Sequence, residues 1–510
     1  MIVEPAFSDF ERRYVAGAPQ VVWTRLIDDL ETPVSAYLKI GHGRPYAFLF
    51  ESVEGGAWRG RYSVITLNPD LVWRCRGDRA EIAEGEAIAS GRFTLQQGGA
   101  LDSLRDLIAR SRIDMPTGLP PMTAGVFGAI GYDMIRLVER LPHVNPDPLD
   151  LPDAVMTRPS IVAVFDAIAQ EILLATTVRP DSASAKDAYA AAVARLEAVQ
   201  ADLRKPTPPL AHSGAPEPDR FTTPVSREDY RAIVEKAKGY IRAGDIFQVV
   251  PSHRFRAPFA HDPFALYRSL RRMNPSPFLF YLNFGGFQLA GSSPEILVRL
   301  RDGKITIRPI AGTRPRGATP EEDQRLEQDL ISDPKERAEH LMLLDLGRND
   351  VGRVAMLKTP GANEPRERPK GPRVRVTDSF FVERYSHVMH LVSNVEGDAP
   401  EGLDPVDVLM AALPAGTLSG APKVRAMEII DELELEKRGI AYAGAVGYFG
   451  ADGSVDTCIV LRTACFKDQT IYVQAGGGVV ADSDPDAEYD ETLHKARAIR
   501  RATEEVWRFV

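Results

Sequence analysis

Cysteine is scarce in this sequence, because a chain of 510 residues has only Cys75, Cys458 and Cys465. The three form neither a C-x-x-C pair nor an even-numbered framework, which excludes a disulfide-stapled fold and is typical of a reducing compartment. None of them lies in a G-x-C-x-G turn. The chain therefore lacks the nucleophile that a glutamine-hydrolysing enzyme would use.

Long hydrophobic runs are also absent, and no apolar stretch approaches the roughly 18 to 20 residues needed to cross a bilayer. The amino terminus, MIVEPAFSDFERRY, carries acids early and lacks the basic-then-apolar order of a secretory signal. We therefore expect a cytoplasmic protein with no membrane partner.

Cations are not in excess, because 62 Lys and Arg residues face 71 Asp and Glu residues and the net charge is -9. Nonspecific nucleic-acid binding requires clustered cations that neutralise phosphates, so the sequence argues against a nucleic-acid partner. Any anionic ligand must be bound by local groups.

Prolines are concentrated in residues 205–220, KPTPPLAHSGAPEPDR, where five prolines in sixteen residues exclude a helix or a central strand. We interpret this segment as a linker between an N-terminal domain, residues 1–204, and a second domain, residues 221–510. Apolar residues at helical spacing predict a helix just before the linker. Strands are predicted in the second domain at 247–250, 278–283, 304–307, 445–448, 458–463 and 471–474. This mixture predicts an α+β fold with large sheets.

Two acidic segments, SDPKERAEH at 332–340 and SDPDAEYDE at 483–491, share a helix-start signal in which Ser or Asp precedes Pro. Each continues with E-x-x-E, a spacing that places both carboxylates on one helix face. Paired carboxylates at a helix start suit a hard metal ion. The alternative is that these acids only complement the helix dipole.

Other segments indicate anion binding. Small residues in LPAGTLSGAPKVRAMEIIDELE and YVQAGGGVVADS expose backbone N–H groups to a ligand, although a bulge or a tight turn would also require glycine. Arg462, inside the predicted strand CIVLRTA, requires a buried carboxylate or an anionic ligand. His387 and His390 are either hydrogen-bonded core residues or catalytic groups. Together these features predict a cleft for a small, multiply anionic substrate.

Seven motifs that occur in order resemble the chorismate-utilising enzymes, and most closely the large subunits of anthranilate synthase. They are PIAGTRPRG, AEHLMLLDLGRNDVGRVA, RYSHVMHLVSNVEG, PAGTLSGAPKVRAMEIIDELE, GAVGYFG, DTCIVLRTA and QAGGGVVADSDPDAEYDET. The match covers most of residues 226–504, and ETPVSAYLKI, FLFES and RYSVI resemble the family's amino-terminal domain more loosely. The resemblance implies a large α/β sandwich with an interleaved N-terminal regulatory domain. It also implies a lyase of tryptophan biosynthesis that converts chorismate and ammonia into anthranilate and pyruvate with Mg²⁺.

The resemblance assigns roles to matching positions. Glu339 and Glu491 are similar to the magnesium ligands, and Glu336 and Glu488 support them. The substrate-binding positions are Ala311, Gly312, Thr313, Tyr442, Arg462, Gly476, Gly477, Gly478 and Lys495. Among these, the resemblance implies that Tyr442 and Arg462 grip the enolpyruvyl carboxylate.

The same comparison implies the catalytic groups. Glu295 in SSPE resembles the general acid that protonates the departing C4 hydroxyl, which requires a carboxyl able to hold a proton. Thr417 would contact the substrate. His390 resembles the histidine that assists the later proton transfer and pyruvate elimination.

Two positions distinguish branches of the family. Aminodeoxychorismate synthases of the familiar bacterial type carry a nucleophilic lysine in P-I-x-G-T, where this chain has Ala311. Isochorismate and salicylate synthases use another lysine as the base for water, and the matching position in GDIFQVV is Gln248. The absence of both lysines favours direct addition of ammonia at C2. The alternatives are an aminodeoxychorismate synthase component I and a non-catalytic effector-binding protein.

A partner and an effector are also implied. Because the chain lacks a glutaminase signature, a separate glutamine amidotransferase subunit would supply the ammonia. The tryptophan-binding positions that the family suggests are Pro33, Glu51, Ser52, Asn274, Pro275, Leu279 and Tyr448. The alternative is that FLFES is a strand edge and NPSP a turn. The basic, proline-rich residues 358–376 exceed the family's usual connection, and we expect a surface loop with solvated charges.

Overall fold

A computed structural model describes residues 1–51, 60–208, 220–356, 374–384, 388–400 and 402–509 of the chain. Its helices are α1 (Phe7–Val15), α2 (Pro33–Ile40), α3 (Glu86–Ala89), α4 (Ala100–Arg110), α5 (Ala185–Leu203), α6 (Arg227–Ala243), α7 (Pro263–Met273), α8 (Pro320–Ser332), α9 (Pro334–Ala355), α10 (Pro405–Ala412), α11 (Gly416–Ser419), α12 (Lys423–Leu433) and α13 (Pro485–Glu504). Short 3-10 helices are formed by Pro121–Thr123, Tyr132–Leu137, Gly439–Ala441 and Val506–Phe509. Helix α5 confirms the helix predicted before the linker.

The strands are β1 (Gln20–Ile27), β2 (Phe48–Glu51), β3 (Tyr62–Arg76), β4 (Arg79–Glu84), β5 (Thr94–Leu95), β6 (Gly125–Ile130), β7 (Ala154–Asp166), β8 (Glu171–Val178), β9 (Gln248–Val249), β10 (Ser252–Pro258), β11 (Phe278–Asn283), β12 (Gln288–Ser293), β13 (Ile296–Arg301), β14 (Lys304–Ile307), β15 (Ile310–Pro315), β16 (Val374–Arg384), β17 (Val388–Asp398), β18 (Gly420–Ala421), β19 (Ala445–Gly450), β20 (Val455–Ile459), β21 (Thr463–Lys467) and β22 (Thr470–Gly476). Strands β11 and β14 have the predicted bounds. The strand predicted at 458–463 is wrong at its end, because β20 stops at Ile459.

One curled antiparallel sheet contains all of these strands except β9 and β18, which pair with each other. Within it, β2 lies between β3 and β11, and β6 lies between β7 and β19. Strands from the two ends of the chain therefore alternate in a single sheet, which confirms the predicted α+β class with a large sheet. The division at residues 205–220 stays a prediction, since residues 209–219 lie outside the described part of the chain.

Two helices carry the acidic segments onto this sheet. Helix α9 packs against β15 and β17, and α13 packs against β22 and α6. Each turns apolar residues toward the core, such as Leu344 and Val351 on α9 and Ala496 and Ile499 on α13. No helix in the described ranges combines the length and apolar character needed to cross a membrane.

Candidate functional site

Both acidic segments begin helices, as predicted. The Oδ1 atom of Asp333 accepts hydrogen bonds from the backbone N–H groups of Lys335 at 2.9 Å and Glu336 at 3.2 Å, which caps α9. Asp484 caps α13 in the same way. A proline occupies the first turn of each helix, where its missing N–H would have no partner in any case.

The two E-x-x-E pairs influence each other although they belong to different helices. Loss of hydration raises the pKa of Glu339, and the carboxylates of Glu336 and Glu491 raise it further. Loss of hydration likewise raises the pKa of Glu488, with Glu491 adding to the effect. The first turns of α9 and α13 therefore form one acidic site.

Each supporting carboxylate has a neighbour that orients it. Arg314 Nη1 donates to Glu336 Oε1 at 3.0 Å and Arg314 Nη2 contacts Asp333 at 2.7 Å. Ser483 Oγ donates to Glu488 Oε1 at 2.7 Å, whereas Glu488 Oε2 is buried with no hydrogen-bond partner among the described residues. Nothing in the sequence singles out Arg314 or Ser483 as part of the site. Arg314 lies in the motif PIAGTRPRG, most of which forms β15.

Close packing explains the triple glycine. A Cβ atom on Gly477 would lie 2.7 Å from Glu488 Oε2, and one on Gly478 would lie 2.5 Å from Gln248 Nε2. None of the glycines at 476–478 has a positive φ, so backbone conformation alone does not require glycine there. Gln248 lies in β9 and is buried, and its Oε1 has no hydrogen-bond partner within the described ranges. The glycines bring Gln248 and Glu488 against one stretch of main chain.

Lys495 connects the acidic site to that main chain. Its Nζ atom lies 2.7 Å from Glu491 Oε1 and donates to Gly476 O at 2.9 Å. About half of each charged side chain is exposed, at 47% and 46%. Lys495 is therefore an i,i+4 partner of Glu491 and also a cation beside the site. Gly477 N–H is not an open donor, because it bonds Pro251 O at 3.3 Å.

Glu295 lies between β12 and β13 and is buried, with 7% of its surface exposed. Both carboxyl oxygens lie 3.4 Å from Thr417 Oγ1. Burial raises the pKa of Glu295 to about 8, against the opposing effects of Thr417 and Arg462. A carboxyl that keeps its proton at neutral pH can act as a general acid.

His390 lies in β17 with its Nδ1 atom 3.1 Å from Gly312 O and 3.0 Å from Thr313 Oγ1. Because a carbonyl oxygen only accepts, Nδ1 carries the proton and Nε2 is the basic nitrogen. Burial lowers the pKa of His390 to about 4, so the imidazole is neutral at pH 7. The residue is both hydrogen-bonded in the sheet and able to accept a proton. His387 lies outside the described residues.

The segment opposite His390 contains a bulge. The pairing of β15 with β17 shifts between Ala311 and Thr313, and Gly312 has a φ of +71°. A Cβ atom at position 312 would lie 3.0 Å from Glu336 Oε2, so glycine is required by conformation and by space. Ala311 is buried and offers only a methyl group. The bulge brings the segment of β15 opposite His390 against the acidic start of α9.

The structure corrects the position of Arg462. It lies between β20 and β21 with a φ of +47°, not inside a strand. Its charge opposes the effect of burial on the pKa of Glu295 and adds to the effect of burial on the pKa of His390. The guanidinium therefore lies near both groups. Tyr442 is buried, and burial raises the pKa of its hydroxyl to about 12, so it stays a donor.

The positions suggested for tryptophan form a separate group. Leu279 in β11 pairs with Glu51 in β2, which brings FLFES and NPSPFLF together. Both oxygens of Glu51 are already bonded, to Arg271 Nε at 2.8 Å and Nη2 at 3.0 Å, and Tyr267 OH also donates to it. Asn274 Nδ2 donates to Ser292 Oγ at 3.0 Å.

The remaining members of this group are arranged around it. Pro33 begins α2, Pro275 follows Asn274, and Ser52 lies outside the described residues. Tyr448 in β19 lies against Phe127, whose ring is 6.0 Å from that of Phe50. Aromatic contacts therefore connect Tyr448 to the strand that carries Glu51.

The acidic site meets some of the requirements of a metal ion. Across the described residues, no three His, Cys, Asp or Glu side chains are grouped closely enough to hold one. The donor set is nevertheless appropriate, since carboxylate oxygens are the ligands of hard cations. A cation would offset the repulsion that raises the pKa of Glu339 and would give Glu488 Oε2 a partner. The residues fit such an ion if their side chains rotate toward a common centre.

Comparisons with known proteins identify the family of this chain. The family model described as chorismate binding enzyme matches residues 69–501. The anthranilate synthase component 1 of Cereibacter sphaeroides is 57% identical over 99% of this chain and 98% of its own length, and that of Pseudomonas putida is 47% identical over 93% of each. The crystal structure of anthranilate synthase component I from Streptococcus pneumoniae superimposes with a TM-score of 0.73 at 36% identity, covering 93% of this chain and 99% of that one. The chain therefore belongs to the chorismate binding enzyme family, among proteins of the anthranilate synthase component 1 type.

Proposed function

We propose that the chain converts chorismate and ammonia into anthranilate and pyruvate. The observation that carries this proposal is the buried carboxyl of Glu295, which lies against Thr417 and whose pKa burial raises to about 8, in a chain that has Ala311 where one branch of the family has a nucleophilic lysine. An acid can then release the C4 hydroxyl as water while an external amine attacks. Two relatives that are 57% and 47% identical to this chain are anthranilate synthase components 1, which supports the same reaction.

In this proposal, positively charged groups and hydrogen-bond donors bind the carboxylates of chorismate. Arg462 and the protonated hydroxyl of Tyr442 bind the enolpyruvyl carboxylate, because charge-assisted and O–H donors both suit a carboxylate. Thr417 positions the substrate beside Glu295. Gly476 and Gly478 are proposed to line the substrate next to Gln248, whose amide lies against Gly478.

The reaction proceeds in two stages at named atoms. Glu295 gives its proton to the C4 hydroxyl and water leaves as ammonia forms the new C–N bond at C2 and the ring double bonds shift; the extra proton on nitrogen then returns to the Glu295 carboxylate. His390 Nε2 next takes the proton from C2 while the C3–O bond breaks, which leaves an aromatic ring, and the departing enolate receives that proton on its methylene carbon to become pyruvate. The neutral imidazole suits this second role, since its pKa of about 4 keeps Nε2 unprotonated at pH 7.

Magnesium completes the proposal. Glu339 and Glu491 would hold it directly, with Glu336 and Glu488 supporting them, and Lys495 lies beside them. When bound, the ion supplies positive charge for the ring carboxylate of chorismate. Arg314 and Ser483 hold Glu336 and Glu488 in orientation for this task.

Product identification tests the proposed reaction. Purified chain incubated with chorismate, Mg²⁺ and an ammonium salt is expected to form anthranilate, detected by its fluorescence and by mass. Formation of salicylate, or of 4-aminodeoxychorismate as the alternative assignment requires, would show that the proposed reaction is wrong. A chain that binds chorismate without a single turnover would instead be an effector-binding protein.

The source of ammonia is a separate part of the proposal. The isolated chain should be inactive with glutamine, because none of its three cysteines, all buried, lies in a glutaminase turn. A glutamine amidotransferase subunit, added to the same assay, should restore activity with glutamine. Glutamine-dependent activity of the chain alone would contradict the requirement for a partner.

Tryptophan is expected to inhibit the enzyme by binding at the separate group of positions that includes Glu51, Asn274 and Leu279. Tryptophan there would hold β2 against β11 and so change the balance between active and inactive arrangements. Ser52→Phe, which puts a bulky side chain directly after Glu51 in the sequence, should raise the half-inhibitory tryptophan concentration by about tenfold or more. Its kcat and KM without tryptophan should equal those of the unmodified chain. If the unmodified chain ignores tryptophan at about millimolar concentration, the regulatory assignment is wrong.

A further inference from the structure

Arg438 and Glu434 form an ion pair that is almost completely buried, with exposed side-chain fractions of 1% and 3%. Arg438 Nε lies 3.1 and 3.0 Å from the two carboxylate oxygens. None of the roles assigned above involves either residue. Desolvation offsets most of the attraction within a buried pair, so stability alone is a weak reason for it.

The remaining donors of Arg438 hold two segments of the candidate site. Nη1 donates to Leu418 O at 2.7 Å, and Leu418 directly follows Thr417. Nη2 donates to Val250 O at 2.7 Å, two residues after Gln248. The same two segments also pair with each other through β9 and β18. One guanidinium therefore fixes both.

The face of the guanidinium contacts a third site residue. Its central carbon lies 5.3 Å from the ring centroid of Tyr442 and 4.8 Å from that of Tyr132. A cation over an aromatic face is attracted to the ring, more strongly where water is excluded. Arg438 therefore holds the ring of Tyr442, whose hydroxyl is the proposed hydrogen-bond donor to the substrate carboxylate.

Glu434 extends the arrangement to the glycine segment. Its Oε1 atom accepts from Ser252 N at 2.8 Å and from Ser252 Oγ at 2.7 Å. Ser252 is the cross-strand partner of Gly476 where β10 pairs with β22. The carboxylate therefore fixes the strand that the glycine segment adjoins.

We propose that Arg438 and Glu434 are positioning residues that set the geometry of the chorismate-binding wall. They act through the Thr417 turn, the Gln248 segment, the Tyr442 ring and the strand beside Gly476, and they touch no reacting atom. This inference rests on the proposed function for the identity of the substrate. The positioning of the four segments is a property of the fold itself.

Arg438→Lys tests the proposal because it keeps the charge and removes the planar fork. A lysine ammonium cannot reach Glu434, Leu418 O and Val250 O in the same geometry. The expected result is a rise in KM for chorismate of about ten- to a hundredfold, the equivalent of one lost charge-assisted hydrogen bond. We expect kcat to change by less than about threefold, since ground-state binding is affected first. Amide hydrogen exchange should quicken in peptides covering 246–252 and 414–422.

Arg136→Lys is the matched control. Arg136 also contacts a carboxylate with two hydrogen bonds, to Asp431 at 2.8 Å each, and it is largely buried. It has no contact with the four segments among its described hydrogen bonds. This variant should lose stability without a change in KM or in exchange at 246–252 and 414–422.

The outcomes separate the two proposals. Wild-type KM and wild-type exchange in Arg438→Lys would overturn the positioning role. If Arg438→Lys does not fold, Glu434→Gln is measured instead, because it keeps the side-chain shape, and the same two readouts decide. If the unmodified chain forms no anthranilate, the proposed function is wrong, and hydrogen exchange still tests the positioning role without turnover.

Discussion

Replacement of Glu295 by glutamine is expected to lower kcat for anthranilate formation by about two to four orders of magnitude, the usual contribution of a positioned general acid. Glutamine has nearly the same shape and can still bond Thr417, so the pocket keeps its geometry. It has no acidic proton to give to the C4 hydroxyl. KM for chorismate should change little, because the proposed binding groups are Arg462, Tyr442 and the acidic site.

The pH profile provides a second measurement on the same residue. The pKa of Glu295 is about 8 in the folded chain, so the carboxyl is protonated below that pH and loses its proton above it. The kcat of the unmodified chain should therefore fall as pH rises through about 8. The residual activity of Glu295→Gln should lack this decline. A profile that is flat between pH 7 and pH 9 would contradict the role of Glu295 as an acid.

Stability separates loss of chemistry from loss of fold. The folded chain holds the Glu295 proton more tightly than an unfolded chain, whose ordinary carboxyl has a pKa near 4.5. The free energy of unfolding therefore contains a contribution that falls as pH rises from about 4.5 to about 8. Glutamine at position 295 does not titrate, so this fall in the free energy of unfolding is absent from the variant. The Tm of Glu295→Gln at pH 8 should therefore not be lower than that of the unmodified chain. Activity within tenfold of the unmodified chain would mean that another group supplies the proton.

Local signals in the sequence were sufficient for the elements that carry the acidic site. Asp333 with Pro334 and Asp484 with Pro485 define helix starts through contacts within a few residues, and both helices begin there. Strand β14 was predicted with its bounds because its alternation is likewise local. Resemblance to a family, not local pattern, assigned the chemistry to these positions.

Arg462 shows where local pattern fails. The run CIVLRTA is apolar apart from Arg462 and Thr463, and its pattern predicts one strand. The chain instead leaves β20 at Ile459 and enters β21 at Thr463, with Arg462 in a left-handed conformation that no composition signal indicates. The sequence predicts a buried carboxylate or an anionic ligand for Arg462, and its charge does reach the buried carboxyl of Glu295.

Contacts between residues that are distant in the chain could not be predicted from the sequence either. The glycines at 476–478 suggested a turn or an anion site, whereas a Cβ atom there would collide with Gln248 and Glu488 from distant parts of the chain. The buried pair of Glu434 and Arg438 gave no signal, because two charges four residues apart at a helix end ordinarily indicate a solvated surface. Only the fold shows that the pair is enclosed by Tyr132 and Tyr442.

Glu339→Gln and Glu491→Gln are each expected to abolish Mg²⁺-supported turnover, with a loss of about a hundredfold or more. The substitution removes one negative charge and one carboxylate ligand while preserving shape. Because Glu336 and Glu491 raise the pKa of Glu339, the unliganded site contains repulsion between like charges. Removal of one charge should therefore leave the Tm of the Mg²⁺-free chain equal or higher, although activity is lost.

Binding of the ion can be measured apart from turnover. Mn²⁺ has a similar preference for oxygen ligands. Its binding to the unmodified chain, measured by electron paramagnetic resonance, should be reversed by excess Mg²⁺. Both variants should weaken this binding by about ten- to a hundredfold.

Glu428→Gln is the matched control, since Glu428 pairs with Arg425 on α12 and is assigned no role at the site. Unchanged activity and Mn²⁺ binding in Glu339→Gln and Glu491→Gln would refute the metal assignment, and the E-x-x-E pairs would then only complement their helix dipoles. Loss of Mn²⁺ binding in the control as well would show that the ion binds elsewhere on the acidic surface.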